Sequence, residues 1–139
     1  MATFAKFNSF VEDIAKGVHN LNSGVFTLAL CNAAHAPVAT NSVLADLTQI
    51  AYTNLSARVP TNGGAVQTSG VLKLLLTDLV LTASGAVAPF RYVVLYNDTP
   101  TSPADPLIGF YDYGSDLTLA NGETLTIDFD GSAGVLTIT

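Results

Sequence analysis

Residues 90–96 read Phe-Arg-Tyr-Val-Val-Leu-Tyr and carry a single charged side chain, Arg91. As an extended chain they are apolar on both faces, which is typical of a strand that is covered on both sides. The stretch therefore predicts the central strand of a β-sheet. The two apolar faces are Tyr92, Val94 and Tyr96 on one side, and Phe90, Val93 and Leu95 on the other.

Further strands are predicted on both sides of this stretch, because apolar residues alternate with a period of two after Gly24. Residues 124–130 give the clearest alternation, with Leu125, Ile127 and Phe129 facing inward. The other candidate strands are residues 25–31, 71–77, 107–113 and 135–139, with shorter ones at 43–50, 65–69, 79–83 and 117–119.

The connections between these strands indicate the type of sandwich. Asn121-Gly122 is the strongest hairpin signal and predicts that residues 117–119 pair with 124–126. Two proline-containing loops, 32–41 and 98–106, are predicted to be the long crossovers that a Greek-key or jelly-roll topology needs. The predicted fold is all-β: an antiparallel, jelly-roll-like sandwich of roughly eight or nine strands with one short N-terminal helix.

The helix is predicted near the N-terminus, where apolar residues recur at steps of three and four from Phe4 through Phe7, Val11 and Ile14 to Val18 and Leu21. Ser9 and Glu12 have the spacing of a capping box, so we expect the helix to begin at Ser9. Gly17 supplies a left-handed residue that ends it, after roughly 9 to 14 residues.

The aromatic residues Phe4, Phe7 and Phe10 cannot all face one core from so short a helix. Two interpretations stay open at this point. Either these side chains pack into the core beneath a partly exposed N-terminal segment, or the segment is an arm that docks on a neighbouring molecule.

Length and composition indicate one domain. The chain has 139 residues, of which 49% are hydrophobic, and a chain of this size buries an independent core. Residues 1–139 are therefore predicted to form a single unit, with an arm and helix over 1–23 and a sandwich over 24–139. The predicted core positions are Leu28, Leu74, Val94, Leu95, Ile108, Ile127 and Phe129.

The charge balance narrows the range of partners. Five Lys and Arg residues against 11 Asp and Glu give a net charge of −6. Because phosphate contacts need clustered basic side chains, we expect no nucleic-acid binding. The N-terminus lacks the features of a secretory signal, and the most apolar stretch is interrupted by Lys73 and Asp78, so no membrane association is expected. The single cysteine, Cys31, is predicted to be a buried, inert thiol in a chain made in a reducing cytoplasm.

Residues with chemical potential are few and do not form a recognisable motif. His19 and His35 are the only histidines, and both are predicted to lie on the surface. Asp128 and Asp130 resemble the start of a calcium loop, but the remaining acidic ligands are missing, so outward-facing strand residues are the favoured interpretation. We therefore expect no enzymatic activity, no catalytic residues, no cofactor and no metal.

Four stretches of the chain follow the strand-and-turn pattern of a known family. They are NSFVEDIAKGVHNL at 8–21, PFRYVVLYND at 89–98, PLIGFYDYG at 106–114 and LANGETLTIDF at 119–129. In these stretches the chain resembles the capsid cement, or decoration, proteins of short-tailed double-stranded-DNA bacteriophages. The resemblance implies a jelly roll that dimerises and clamps neighbouring major capsid subunits on the outer shell, with no catalytic residues.

The expected function is therefore that of a virion structural protein, located on the outer capsid surface and assembled in the host cytoplasm. The expected partners are the major capsid protein and a second copy of the chain in a homodimer. Two alternatives stay open: a tail or baseplate component, and a carbohydrate- or receptor-binding module, which exposed aromatic residues would favour. The candidate interface residues are Phe4, Phe7 and Phe10 in the arm, and Val135, Thr137 and Thr139 in a C-terminal edge strand.

Overall fold

The computed structural model describes residues 2–139 and contains 41% strand and 10% helix. The named strands pair only in antiparallel fashion within this range. The predicted all-β antiparallel sandwich with one short N-terminal helix is confirmed. The elements are β1 (Phe4–Lys6), α1 (Asn8–Ala15), β2 (Phe26–Cys31), β3 (Asn62–Thr68), β4 (Val71–Leu76), β5 (Leu79–Thr82), β6 (Phe90–Asn97), β7 (Leu107–Leu117), β8 (Thr124–Ile127) and β9 (Thr137–Ile138).

The strands form three sheets with the orders β1-β7-β6-β2, β3-β4-β9 and β5-β8. Four of the pairings, β1 with β7, β2 with β6, β4 with β9 and β5 with β8, join strands that are far apart along the chain. Only the β3–β4 and β6–β7 pairs join consecutive strands. This connectivity agrees with the predicted crossover topology and not with a simple meander.

Strand β6 lies in the middle of the four-stranded sheet and is buried along almost its whole length. The register shifts between Phe90, which pairs with Leu117, and Tyr92, which pairs with Asp112, so the additional residues of this irregularity lie in β7. The strict alternation of faces is broken at this irregularity, and Phe90 shares a face with Val93 and Leu95. The two predicted faces are confirmed: Phe90, Val93 and Leu95 belong to one core cluster, and Tyr92, Val94 and Tyr96 belong to a second.

All seven predicted core residues are buried. Val94 belongs to the second cluster, while the other six pack in the main cluster between the four-stranded sheet and the two smaller ones. The six are Leu28, Leu74, Leu95, Ile108, Ile127 and Phe129.

The second face of the four-stranded sheet is covered by irregular chain. Phe7 from the N-terminal segment and Leu44 and Leu47 from the long connection between β2 and β3 pack against this face. The strand predicted at 43–50 is therefore wrong. The Asp46 carboxylate accepts the backbone N–H groups of Ser42 and Val43, and this local pairing favours a 3₁₀ turn over a strand.

The same connection, residues 32–61, closes the outer edge of β2. Ile50 N–H donates to the Leu30 carbonyl oxygen, and Leu28 N–H donates to the Arg58 carbonyl oxygen, each at 2.9 Å. Tyr52 Oη accepts the N–H of Leu30 at 2.9 Å, and the Arg58 guanidinium donates to the Leu28 carbonyl oxygen. Residues 32–61 form the crossover between sheets, whereas the predicted crossover at 98–106 only joins β6 to its neighbour β7.

The hairpin predicted at Asn121-Gly122 is also wrong. The turn itself exists, because Gly122 has a φ of +84° and its N–H donates to the Ala83 carbonyl oxygen at 2.8 Å. However, β8 pairs with β5 in another sheet and not with the end of β7. The Asn-Gly pair therefore turns the chain at a corner between two sheets.

The helix α1 is one residue shorter than the lower limit predicted, and it lacks the capping box. Phe7 occupies the N-cap position without a side-chain hydrogen bond, and Ser9 Oγ has no partner among the described residues. Glu12 instead pairs with Lys16 one turn further on. Gly17, with a φ of +73°, follows the end of the helix as predicted.

A matched pair of valines tests whether β6 buries both faces. Val94 is fully buried, whereas Val80 on β5 is 50% exposed. Val94→Ala is expected to lower the free energy of unfolding by about 1.5–3 kcal/mol, because two buried methyl groups are lost. Val80→Ala is expected to cost less than about 0.5 kcal/mol. Urea unfolding measures both, and equal losses would contradict the central position of β6.

Candidate partner interface

An apolar groove of about 380 Å³ opens on one side of the molecule. Side chains from β1, β6, β7 and β8 line it, together with residues that precede β9. Phe90, Val93, Ile127 and Val135 are buried and form its base, while Asp128 and Asp130 are exposed at its rim. The groove is therefore built from segments that are distant along the chain.

Aromatic rings form one wall of the groove. The Phe4 and Tyr111 ring centroids are 5.1 Å apart, and Tyr111 also lies 6.4 Å from Phe129. Tyr113, two residues further along β7 and therefore on the same side of the strand, is 57% exposed. An exposed aromatic wall beside a buried apolar base is typical of a surface that contacts another molecule.

Gly109 explains why Phe4 reaches this wall. Gly109 lies on β7 opposite Lys6 of β1. A Cβ atom at Gly109 would lie 2.4 Å from the Phe4 ring and 2.6 Å from the Ala5 carbonyl oxygen. The missing side chain thus leaves the space in which Phe4 and the β1 backbone pack.

The rim of the groove is acidic. The Asp130 carboxylate accepts the backbone N–H groups of Ser132 and Ala133 at 2.8 and 2.7 Å, and these bonds lower the pKa of Asp130. Asp128 lies close enough to Tyr111 to act on its phenol. Burial, with the Asp128 charge as a second cause, raises the pKa of Tyr111 to about 12. The phenol is thus neutral at physiological pH, and the carboxylates supply the negative charge.

The structure brings two of the predicted interface residues, Phe4 and Val135, together in this groove. Two others are corrected. Phe7 is fully buried in the second cluster and Phe10 is 5% exposed in the main one, so both belong to the core. The N-terminal segment therefore follows the core-packing interpretation, with Phe4 as its partly exposed aromatic residue.

The C-terminal strand is shorter than predicted. Only Thr137 and Ile138 form β9, which pairs with β4 at the edge of its sheet. Val135 is 6% exposed and packs in the core, while Thr137 and Thr139 are exposed. Of the predicted C-terminal residues, Thr137 and Thr139 remain accessible to a partner.

Three groove residues escaped the sequence analysis: Tyr111, Tyr113 and Asp128. Tyr111 and Tyr113 appeared only as strand residues, and Asp128 only as an outward-facing carboxylate. The spacing of two residues between Tyr111 and Tyr113 along β7 was a usable signal, because it places both tyrosine rings on one side of the strand. Nothing in the sequence indicated that Asp128 lies beside them.

The two histidines lie in different environments. His19 is 7% exposed, so its predicted surface position is wrong. Asn97 Nδ2 lies 3.2 Å from His19 Nδ1, the ring packs 5.3 Å from that of Phe10, and burial lowers the pKa of His19 to about 4. His35 is exposed, as predicted.

Cys31 is fully buried, and burial raises the pKa of its thiol to about 11, which agrees with the predicted inert thiol. Over residues 2–139, no group of three or more His, Cys, Asp or Glu side chains could hold a metal ion. Within the same range, no helix is both long and apolar enough to cross a membrane.

Gly109→Ala is expected to detach β1 from the groove. The new methyl group would collide with the Phe4 ring and with the β1 backbone, so the amides of Phe4–Lys6 should lose hydrogen-exchange protection by about tenfold or more. Gly131→Ala is the matched control, because a Cβ there meets nothing within 4 Å. Unchanged protection of β1 in Gly109→Ala would contradict the seating of Phe4 on Gly109.

Acidification is expected to destabilise the protein through His19. The unfolded chain takes up this proton near pH 6.5, whereas the folded ring does so only near pH 4. Below pH 6.5 the unfolded state therefore binds more protons, and the free energy of unfolding falls by about 1.4 kcal/mol per pH unit until the folded ring titrates.

The variant His19→Gln isolates this contribution. From pH 7 to pH 5, wild type is expected to lose about 2 kcal/mol more stability than the variant. Asp13 and Asp105, whose pKa values are raised mainly by burial, change stability in the opposite direction but are present in both proteins. Identical pH dependence of the two proteins in urea unfolding would show that His19 is not buried in its neutral form.

No protein-family model, curated protein sequence or solved structure matches the chain. The function is therefore argued from the groove and from the strand edges beside it.

Proposed function

We propose that the chain is a structural protein of a bacteriophage virion, which binds the outer capsid surface and bridges major capsid subunits as a cement protein. The observation that carries this proposal is the exposed apolar groove, which lies beside β1 and the segment leading into β9. The stretches that resemble decoration proteins suggest the capsid as the surface on which the groove docks.

The groove has the composition of a binding surface. Its buried base is apolar, and Phe4, Tyr111 and Tyr113 present aromatic rings at the opening. Aromatic side chains contribute a large share of the energy in protein interfaces. A partner that covers this surface gains apolar burial with little conformational cost at Phe4 and Tyr111, because these two rings already pack against each other.

Two sheet edges next to the groove favour docking on a large assembly. β1 ends the four-stranded sheet and β9 ends the three-stranded one, and no named strand within residues 2–139 pairs with their outer sides. Phe4 of β1 and Val135, two residues before β9, both line the groove. A partner strand added to either edge would therefore lie next to the apolar surface.

The proposed role requires simultaneous binding to several capsid subunits and no turnover of a substrate. A homodimer, which we propose as the binding unit, would hold the shell at two points, and the second contact would gain from effective concentration. Binding only to assembled subunits then stabilises the shell by mass action.

Particles that lack this protein test the proposal. They are expected to release their DNA at a lower temperature, or under milder osmotic shock, than complete particles. Adding the purified protein back should restore the release temperature. The Tyr113→Ala protein should restore it poorly, because the variant loses an exposed ring of the groove.

Val38→Ala is the control, because Val38 is 53% exposed and lies outside the groove. This variant should restore the particles as well as wild type does. Depleted particles that are as robust as complete ones would contradict the cement role. The exposed Tyr113 ring is also the feature that favours the receptor-binding alternative, and loss of host adsorption from such particles would then support that alternative.

A further inference from the structure

We propose that the groove receives an arginine side chain, carried by an extended segment of the coat subunit on which the protein docks. This inference rests on the proposed function for the identity of the partner. It rests on the groove itself for the chemistry of the side chain that is recognised.

The negative charge at the rim is the first reason. Asp128 takes part in neither of the ion pairs found within residues 2–139, and its carboxylate is exposed. The backbone N–H groups of Ala133 and Ser132 are the main reason that the pKa of Asp130 is lowered. The charge of Lys73 lowers it further, and the Lys73 ammonium also donates to the Ser132 carbonyl oxygen at 2.9 Å. Asp128 is therefore the rim carboxylate whose negative charge is left to pair with a cation of the partner.

The aromatic wall is the second reason, and it distinguishes arginine from lysine. A planar guanidinium stacks on aromatic rings and pairs with a carboxylate in a fork geometry, whereas an ammonium is a strongly hydrated point charge. The exposed Tyr113 ring and the Tyr111 ring lie on the wall, and Asp128 lies at the rim of the same groove. The apolar base formed by Val93 and Val135 suits the aliphatic stem of the arginine.

The chain's own cations make a second copy a poor occupant. Four of the five basic side chains already contact an acceptor: Lys16 contacts Glu12, Arg58 the Leu28 carbonyl oxygen, Lys73 the Ser132 carbonyl oxygen, and Arg91 the Asp112 carboxylate. The fifth, Lys6, lies in β1 beside the groove. Because Lys6 carries an ammonium and not a planar guanidinium, the arginine is expected to come from a different protein.

A model compound tests the recognition chemistry without particles. N-acetyl-arginine amide, titrated into the ¹⁵N-labelled full chain, is expected to shift the backbone amides of Tyr111, Asp128 and Val135 in a saturable way. N-acetyl-citrulline amide, its neutral analogue, should not shift them. Asp128→Asn should weaken the arginine effect by about tenfold, whereas Asp13→Asn, which removes one charge outside the groove, should change it less than about twofold. No saturable shift in wild type, or equal shifts with citrulline, would overturn the inference.

Binding to depleted particles separates the two proposals. If wild type and Asp128→Asn bind the particles equally well, and binding does not weaken with salt, the cement role stands and the arginine site is wrong. If wild type fails to bind at all, the cement role is wrong, and the titration alone decides the arginine site.

Light scattering tests the remaining candidate occupant of the groove, a second copy of the chain. A mass of two chains that falls to one in Asp128→Lys would place a second copy in the groove and overturn the proposal. A mass that is the same in wild type and Asp128→Lys agrees with an occupant from another protein.

Discussion

The burial of both faces of β6 is the constraint on which the rest of the structure depends. A strand with apolar side chains on each side needs two covering layers, and the chain supplies two different ones. The smaller sheets cover the face that carries Leu95, whereas Phe7 and the irregular connection 32–61 cover the face that carries Val94. This second layer is irregular chain. The same connection also closes the edge of β2, where the Arg58 and Tyr52 side chains bond to its backbone.

The closure of β2 leaves β1 as the other edge strand of the four-stranded sheet. There the sheet ends in β1, a strand of three residues whose Phe4 ring packs on Gly109. A strand this short covers only part of the apolar surface between the sheets, and the uncovered remainder is the groove. The aromatic wall and the Asp128 carboxylate lie at this end of the sheet, and they give the groove an apolar and a negatively charged surface.

Local periodicity predicted most of the fold, because the residues of a strand themselves show whether one or both of its faces are buried. Contacts between residues that are far apart along the chain were harder to predict from the sequence. Asn121-Gly122 correctly marked a turn, yet turn chemistry does not determine which strand the chain pairs with afterwards. The buried His19 ring contacts Asn97, which is 78 residues away along the chain. Of the candidate site, the sequence predicted Phe4 and Val135, but it did not indicate that they meet in one groove.

The central claim is that this groove is the surface that docks on the capsid. Site-specific photo-crosslinking tests it most directly, with a benzophenone amino acid placed at Tyr113 in the groove or at Val38 outside it, each of which is exposed. On irradiated particles, the account predicts that the probe at Tyr113 crosslinks to the major capsid protein and that the probe at Val38 does not. Crosslinks from Val38 alone, or from Tyr113 only to a second copy of the chain, would contradict it.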